Sequence, residues 1–241
     1  LTVGCYNVLC STYAVKWGER EGLARDGTSN WGLRWPAMRG VILRARWDLV
    51  CLQEVEHTDA QQIASELGAE YQAFYFKHAK RPPDGLIIAV RTAAFDGEVQ
   101  PREVQNNGAV AFGRLDLVHR DSGARVRVVN AHCRGGNQAQ LKALADFADE
   151  GVENPDVTII AGDFNEDFHT DEGRLEVRSP FPDMLGPYST LVREPGLPQL
   201  SRPPHKQAED QLSGKGKVDY IWVRGTDGRC HCELFRDAGS R

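Results

Sequence analysis

The chain has no apolar run long enough to cross a membrane and no basic-then-apolar leader at its start, so neither a helical span nor a secretory signal is expected. It has no Cys-x-x-Cys pair. Cys230-His231-Cys232 is too tight for a zinc site and, following the turn Thr226-Asp227-Gly228, reads as alternating strand residues. Cys5 and Cys51 lie inside apolar strand-like runs, where a free thiol acts as a small hydrophobe. Reduced thiols in an intracellular protein are the expectation. Excess positive charge is also missing: 29 Lys and Arg stand against 34 Asp and Glu, a net charge of -5. That balance argues against a broad, sequence-blind coat for nucleic acid, and it leaves room for a local basic pocket around an acidic metal site. No repeat or low-complexity segment is visible. What remains is an ordinary globular composition, 41% hydrophobic over 241 residues, which fits a single domain over 1–241 with a layered core.

Strands and helices interleave along the chain. Residues 1–8 read as a first strand. Met38, Val41, Ile42 and Ala45 mark an amphipathic helix over 35–46, with Pro36 in its first turn. A short buried strand over 48–52 runs into Gln53-Glu54. Thr58 is expected to cap a second helix with Ala60, Ile63, Ala64 and Leu67 on one face, ended by Gly68. Strand-like runs cover 85–91, 109–118 and 125–132, the last two joined by the turn Asp121-Ser122-Gly123. A third helix is expected over 137–149. Residues 166–217 are polar and Pro-rich with little period, a long connection of the kind usually tied to function. The run 218–223 returns to strand. The class is therefore α+β, with helices packed outside two sheets.

Polar residues sit where the apolar strands end. The strand over 157–161 ends in Gly162-Asp163-Phe164-Asn165, with Asp163 and Asn165 two residues apart and on one side. Alone, Asp-x-Asn at a strand end is usually turn chemistry, the side chains satisfying nearby backbone. Here it has company: Asn7, Glu54, His132 and Asp219 also stand at or near strand ends. Carboxylates, carboxamides and an imidazole gathered at one rim would suit a hard divalent cation and a phosphate.

Tyr6-Asn7-Val8-Leu9-Cys10, Leu52-Gln53-Glu54-Val55, Pro83-Asp84-Gly85, Asn130-Ala131-His132, Gly162-Asp163-Phe164-Asn165 and Val218-Asp219-Tyr220-Ile221 follow one another in that order. In this the chain resembles the endonuclease/exonuclease/phosphatase superfamily, and within it the deadenylase and nocturnin-like branch. The resemblance implies a four-layer αββα sandwich of two mostly antiparallel sheets flanked by helices. It implies hydrolysis of phosphodiester bonds with Mg²⁺, or Mn²⁺, as cofactor, and RNA or a nucleotide as substrate. Glu54 resembles the main metal ligand, with Asn7 and Asp163 beside the ion. Asp163 resembles the residue that aligns or deprotonates the attacking water, Asn165 and Asn7 hold the phosphate, and His132 bonds a nonbridging phosphate oxygen. Asp219 resembles a carboxylate paired with a C-terminal His. Arg134, Asn107 and Asp84 match substrate-side positions.

The family pattern closes with a Ser-Asp-His strand, and no Asp-His occurs in the 22 residues after Asp219. Either the last strand falls beyond Arg241, or the domain has lost that His and serves as an interaction module. The aromatic that the branch carries before Asp219 is missing from 198–205, which weakens an expectation of poly(A) selectivity. A phosphatase or phosphodiesterase acting on a small nucleotide would use the same metal site.

Overall fold

The computed structural model describes residues 1–21, 30–77, 84–97, 99, 101–106, 109–135, 137–151, 155–165, 189–190 and 219–225. Two mixed sheets stack face to face, and helices cover their outer faces. The first sheet has the order β1(Val3–Asn7), β2(Leu49–Glu56), β4(Asp84–Arg91), β3(Tyr71–Lys77). The second has the order β10(Ser189–Thr190), β11(Asp219–Gly225), β9(Val157–Asp163), β8(Arg125–His132), β7(Ala109–His119), β5(Phe95–Asp96), with β6(Arg102–Asn106) also on β7. Each sheet contains one parallel pair, β1 with β2 and β8 with β9; the remaining pairs are antiparallel.

Alternation along the strands builds three apolar layers. Leu49 and Cys51 of β2, Leu86, Ile88 and Val90 of β4, Val126 and Val128 of β8, and Ile159 and Ala161 of β9 fill the space between the sheets. Their neighbours point outward. Val50, Leu52, Ile87 and Ala89 meet Trp35 and Ile42 of α2(Trp31–Ala45) and Ala60, Ile63 and Leu67 of α3(His57–Leu67). Val129 and Ile160 meet Leu141, Leu144 and Ala148 of α4(Gln138–Asp149) on the other side. A one-residue slip in any strand would exchange the two faces, so apolar burial fixes the register.

Several local expectations change. Helix α2 starts a turn earlier than its apolar period suggests, at Trp31, where the Asn30 side chain accepts from Gly32 N and Trp31 stacks on Trp35 at 5.6 Å. Pro36 therefore lies inside the helix rather than in its first turn. Helix α3 begins at His57 with Glu56 at the cap position, so Thr58 is already helical. The Glu56 carboxylate instead accepts from Thr12 N at the start of α1(Ser11–Glu21), a helix that its sequence period does not announce. Strands β3 and β6 are likewise additions; β3 has an edge position and mixed burial, which blurs its alternation. The Cys230-His231-Cys232 run and most of 166–217 lie outside the described residues.

The chain start is fastened by Asp48, whose Oδ2 accepts from Thr2 N at 2.7 Å and Thr2 Oγ1 at 3.0 Å while Oδ1 pairs with Arg91. Burial alone would push this carboxyl up, but the Arg91 and Thr2 bonds outweigh it and hold it below its ordinary range. A depressed folded-state pKa stabilises above the unfolded value, and the contribution is lost as the pH falls through the folded value. Asp48→Asn should cost about 2 kcal/mol at pH 7, and denaturant titrations should show the gap between the two proteins closing as the pH drops below about 4.

Candidate functional site

The parallel pairs bring polar strand ends to one rim. Strands β1 and β2 run together with Asn7 opposite Gln53, and β8 and β9 run together with His132 opposite Asp163. Antiparallel β11 sets Asp219 opposite Asp163 from the other side. Parallel strands finish on the same side, so Asn7, Glu54, His132 and Asp163 gather where the open ends of both sheets meet.

Strict alternation would not put Glu54 there. Leu52 faces the helical side of its sheet and Gln53 is buried on the inner side, so Glu54 should face outward again. The ladder between β2 and β4 instead shifts register between Leu52 and Val55, and Glu54 takes a left-handed backbone, φ 57°. This bulge turns the carboxylate to the rim and returns Val55 to the outer layer. Left-handed backbone recurs at Leu9, φ 53°, and Asn165, φ 50°. Such conformations cost of order 1–3 kcal/mol each in a non-glycine residue and persist where surrounding contacts over-determine them.

At Leu9 and Asn165 those contacts are Asx turns. Asn7 Oδ1 accepts from Leu9 N at 2.9 Å, and Asp163 Oδ1 accepts from Asn165 N at 2.8 Å. The second polar atom of each side chain then faces the site. Asn7 Nδ2 donates to Glu54 Oε1 at 2.9 Å and to Asp163 Oδ2 at 2.8 Å. Turn chemistry and site chemistry are thus carried by one side chain. Cys10 N lies 3.4 Å from Glu54 Oε2, and His132 Nε2 lies 3.7 Å from Glu54 Oε1. Asn165 Nδ2 donates to Cys133 O at 3.0 Å. Gly135 is required beside it, because a Cβ there would meet Asn165 O at 2.2 Å.

Glu54, His132 and Asp163 offer ligand atoms within 4.8 Å of one another. Two carboxylates and an imidazole at this spacing fit a divalent cation, and oxygen donors favour Mg²⁺ or Mn²⁺. Further acid surrounds them. Asp84, only 1% exposed, accepts from the Tyr13 hydroxyl at 3.4 Å. Burial raises its pKa, the His132 charge opposes this, and Glu54 adds to it. Burial likewise pushes the Cys10 thiol and the Tyr13 phenol up, with the Asp84 and Glu54 charges adding to it.

Among the other sequence candidates, Asp84 is buried at the start of β4 opposite Glu56, and Arg134 is exposed in the loop after β8, its N–H donating to Gln140 Oε1 at 2.8 Å. Asp219 is placed by its backbone alone, and Asn107 lies outside the described residues. Sequence reasoning missed Tyr13 and Arg34. The Arg34 guanidinium bonds Val8 O, and Leu9 O at 2.9 Å, bracing the turn that holds Asn7. Its period on an amphipathic helix gave no cue that it points at a loop.

Two stacked sheets flanked by helices, with an oxygen-rich rim at the strand ends, define an αββα sandwich of the kind used by metal-assisted hydrolases. The chain belongs to the Endonuclease/Exonuclease/phosphatase family, whose sequence profile matches residues 5–241. Its structure is similar to that of ANGEL2, a 2′,3′-cyclic phosphatase solved with adenosine-2′,3′-vanadate, at 17% identity over 92% of this chain and 83% of that one, TM-score 0.65. Truncated Caenorhabditis elegans TDP2 is similar at 19% identity over 93% and 84%, TM-score 0.61. The human nocturnin catalytic domain with bound sulfate is similar at 18% identity over 92% and 81%, TM-score 0.58. No curated protein matches the sequence. At these identities the structural likeness speaks for the fold.

A cation held by Glu54 and Asp163 should stabilise the folded protein by mass action, about 2.7 kcal/mol at a hundred times its Kd. Thermal melts with and without Mn²⁺ should show a rise for the wild type and none for Glu54→Gln. The variant should melt higher than the wild type without metal, because one member of a crowded acidic cluster is neutralised. A metal-induced rise in Glu54→Gln equal to the wild type would remove Glu54 from the ligand set.

Proposed function

We propose that this protein is a divalent-metal-dependent phosphodiesterase that removes nucleotides from the 3′ end of RNA, with Mg²⁺ as the working ion. The observation that carries the reading is the single amide of Asn7 shared between Glu54 and Asp163, with His132 at 3.7 Å from Glu54. It brings cation ligands, a base and a cationic donor to one point at the strand ends. Glu54 and Asp163, with Asn7 beside them, are the residues that would hold the ion, which when bound neutralises phosphoryl charge and stabilises the leaving oxygen.

The protein groups divide the remaining work. Asp163 is held by two donors, so its orientation is fixed before substrate arrives, and it accepts the proton of the attacking water. Asn165 spends one Nδ2 hydrogen on Cys133 O and keeps the other for a phosphate oxygen. His132 donates to a nonbridging oxygen as negative charge develops, and Arg134 adds a cation from the loop two residues on. Asp219, whose backbone pairs with Asp163 across β9 and β11, is assigned the family role of a carboxylate that pairs with a C-terminal His. Asn107 and Asp84 belong to the substrate side, Asp84 acting through the Tyr13 hydroxyl and His132 because it is buried. Among the described residues Cys5, Cys10, Cys51 and Cys133 form no disulfide, and the activity is assigned to a reducing, intracellular compartment.

A second reading, hydrolysis of a small cyclic nucleotide phosphodiester, is favoured by the likeness to ANGEL2 and its adenosine-2′,3′-vanadate complex. A panel of 5′-labelled single-stranded RNAs, oligo(A), 2′,3′-cyclic AMP and single-stranded DNA, each with Mg²⁺, separates the two. Stepwise shortening of mixed-sequence RNA is the expected result. Turnover confined to the cyclic nucleotide would install the second reading, and no turnover of any substrate by the full-length protein would replace both with an interaction module. His132→Ala should lower kcat by roughly a hundredfold to a thousandfold, the scale of one lost oxyanion donor, with an unchanged circular dichroism spectrum.

A further inference from the structure

Directly beneath the rim, two carboxamides meet between the sheets. Gln53 and Asn130 are both 0% exposed. Gln53 Nε2 donates to Asn130 Oδ1 at 2.7 Å, crossing from β2 to β8. Asn130 Nδ2 in turn donates to Leu52 O at 2.9 Å and Ile87 O at 2.8 Å. Leu52 and Ile87 are the paired residues of β2 and β4 after which the ladder shifts register. One side chain from the second sheet thus fastens both strands of the first at the point where the bulge begins.

The surroundings make these amides unusual. The inner positions one step lower on the same strands are Cys51 and Val128, both apolar and wholly buried. An apolar pair at 53 and 130 would fill the gap without removing two amides from water, a transfer that is costly unless every donor and acceptor finds a partner. Here both hydrogens of Asn130 and its oxygen are engaged, and Gln53 Nε2 has a further contact to Cys51 O at 3.3 Å. Apolar packing between sheets is non-directional and does not fix their mutual offset; hydrogen bonds with this geometry do. Gln53 immediately precedes Glu54, and Asn130 lies two residues before His132 on the same strand face. The offset fixed by the amides is therefore the offset between Glu54 and His132.

We propose that Gln53 and Asn130 are positioning residues: their buried amide clasp holds the left-handed bulge at Glu54 and sets Glu54 against His132 across the two sheets. This rests on the reading of Glu54 as a cation-holding residue, but its test does not depend on that reading alone. The probe is the side-chain amide of Asn7, whose Nδ2 is bonded to Glu54 and Asp163 and whose ¹⁵N–¹H resonances report both contacts without metal. In Gln53→Met, which keeps length and volume but removes the amide, both Asn7 resonances should move. Mn²⁺ affinity measured calorimetrically should fall about tenfold or more, the scale seen when groups that orient a metal ligand are removed. If Gln53→Met does not fold, Gln53→Asn keeps an amide one methylene too short and should give the same two changes. Asn7 resonances at wild-type positions together with wild-type Mn²⁺ affinity, in a variant that merely melts lower, would overturn the proposal and reduce the pair to core filling. A wild-type protein that binds no Mn²⁺ would instead sink the cation reading, and the Asn7 resonances would still decide the clasp.

Discussion

Asn7 Nδ2 donates to two carboxylates that belong to different sheets, Glu54 of the first and Asp163 of the second. Much of the structure serves that shared bond. It requires β1 and β9, which belong to different sheets, to end at the same level. It requires Asn7 and Asp163 to be pinned from behind, which the Asx turns to Leu9 and Asn165 provide. It requires Glu54 to face against the alternation of its own strand, which the bulge provides. Backbone strain is concentrated here because three successive demands on direction are met by three left-handed residues, and the rest of the fold is regular enough to hold them.

The two ends of the second sheet treat charge in opposite ways. Away from the rim, Arg114 and Arg127 are almost wholly buried, yet their guanidinium groups close the carbonyls at the end of α4, Phe147 O and Glu150 O for Arg114 and Ala148 O for Arg127. Both also share the Asp116 carboxylate, at 3.1 and 2.7 Å. Cations at a helix C-terminus complement its dipole. At the rim, acids crowd instead. Glu54 and Asp163 meet through an amide, Asp84 is buried nearby, and the ion-pair partner of Glu54 among the described residues is an imidazole. One end stabilises the fold. The other gathers the carboxylates and imidazole that could hold a cation.

The helices contribute unequally to that site. Helix α4 is a covering layer with an amphipathic face and a satisfied end. Helices α1 and α2 do more. Arg34 of α2 braces the carbonyls of Val8 and Leu9, and Tyr13 of α1 reaches Asp84. The start of α1 is itself docked on the acids that open α3, Glu56 through Thr12 N and Asp59 through Ser11 Oγ. The rim is thus walled by helical residues bonded to it and to one another, which limits how far Asn7 and its turn can shift.

By itself the sequence determined the layering, and it singled out the grouped ligand candidates Glu54, His132 and Asp163. The short apolar runs at 49–52, 86–90, 126–129 and 157–161 read as buried strands, and Asn7, Glu54, His132 and Asp163 stood out because polar residues at the ends of such runs need a reason to be there. The helix start at Trp31 and the helix α1 were not legible, since one depends on an Asn30 side-chain bond and on ring stacking and the other on docking against Glu56 and Asp59. Tertiary structure alone decided the direction of Glu54, because local alternation points it outward and only the broken ladder against β4 turns it in. It alone decided that Gln53 and Asn130, 77 positions apart in the chain, are one unit. Periodicity reads which face a residue shares with its neighbours two and four positions away; it carries no information on the offset between two sheets, and that offset is where the site is made.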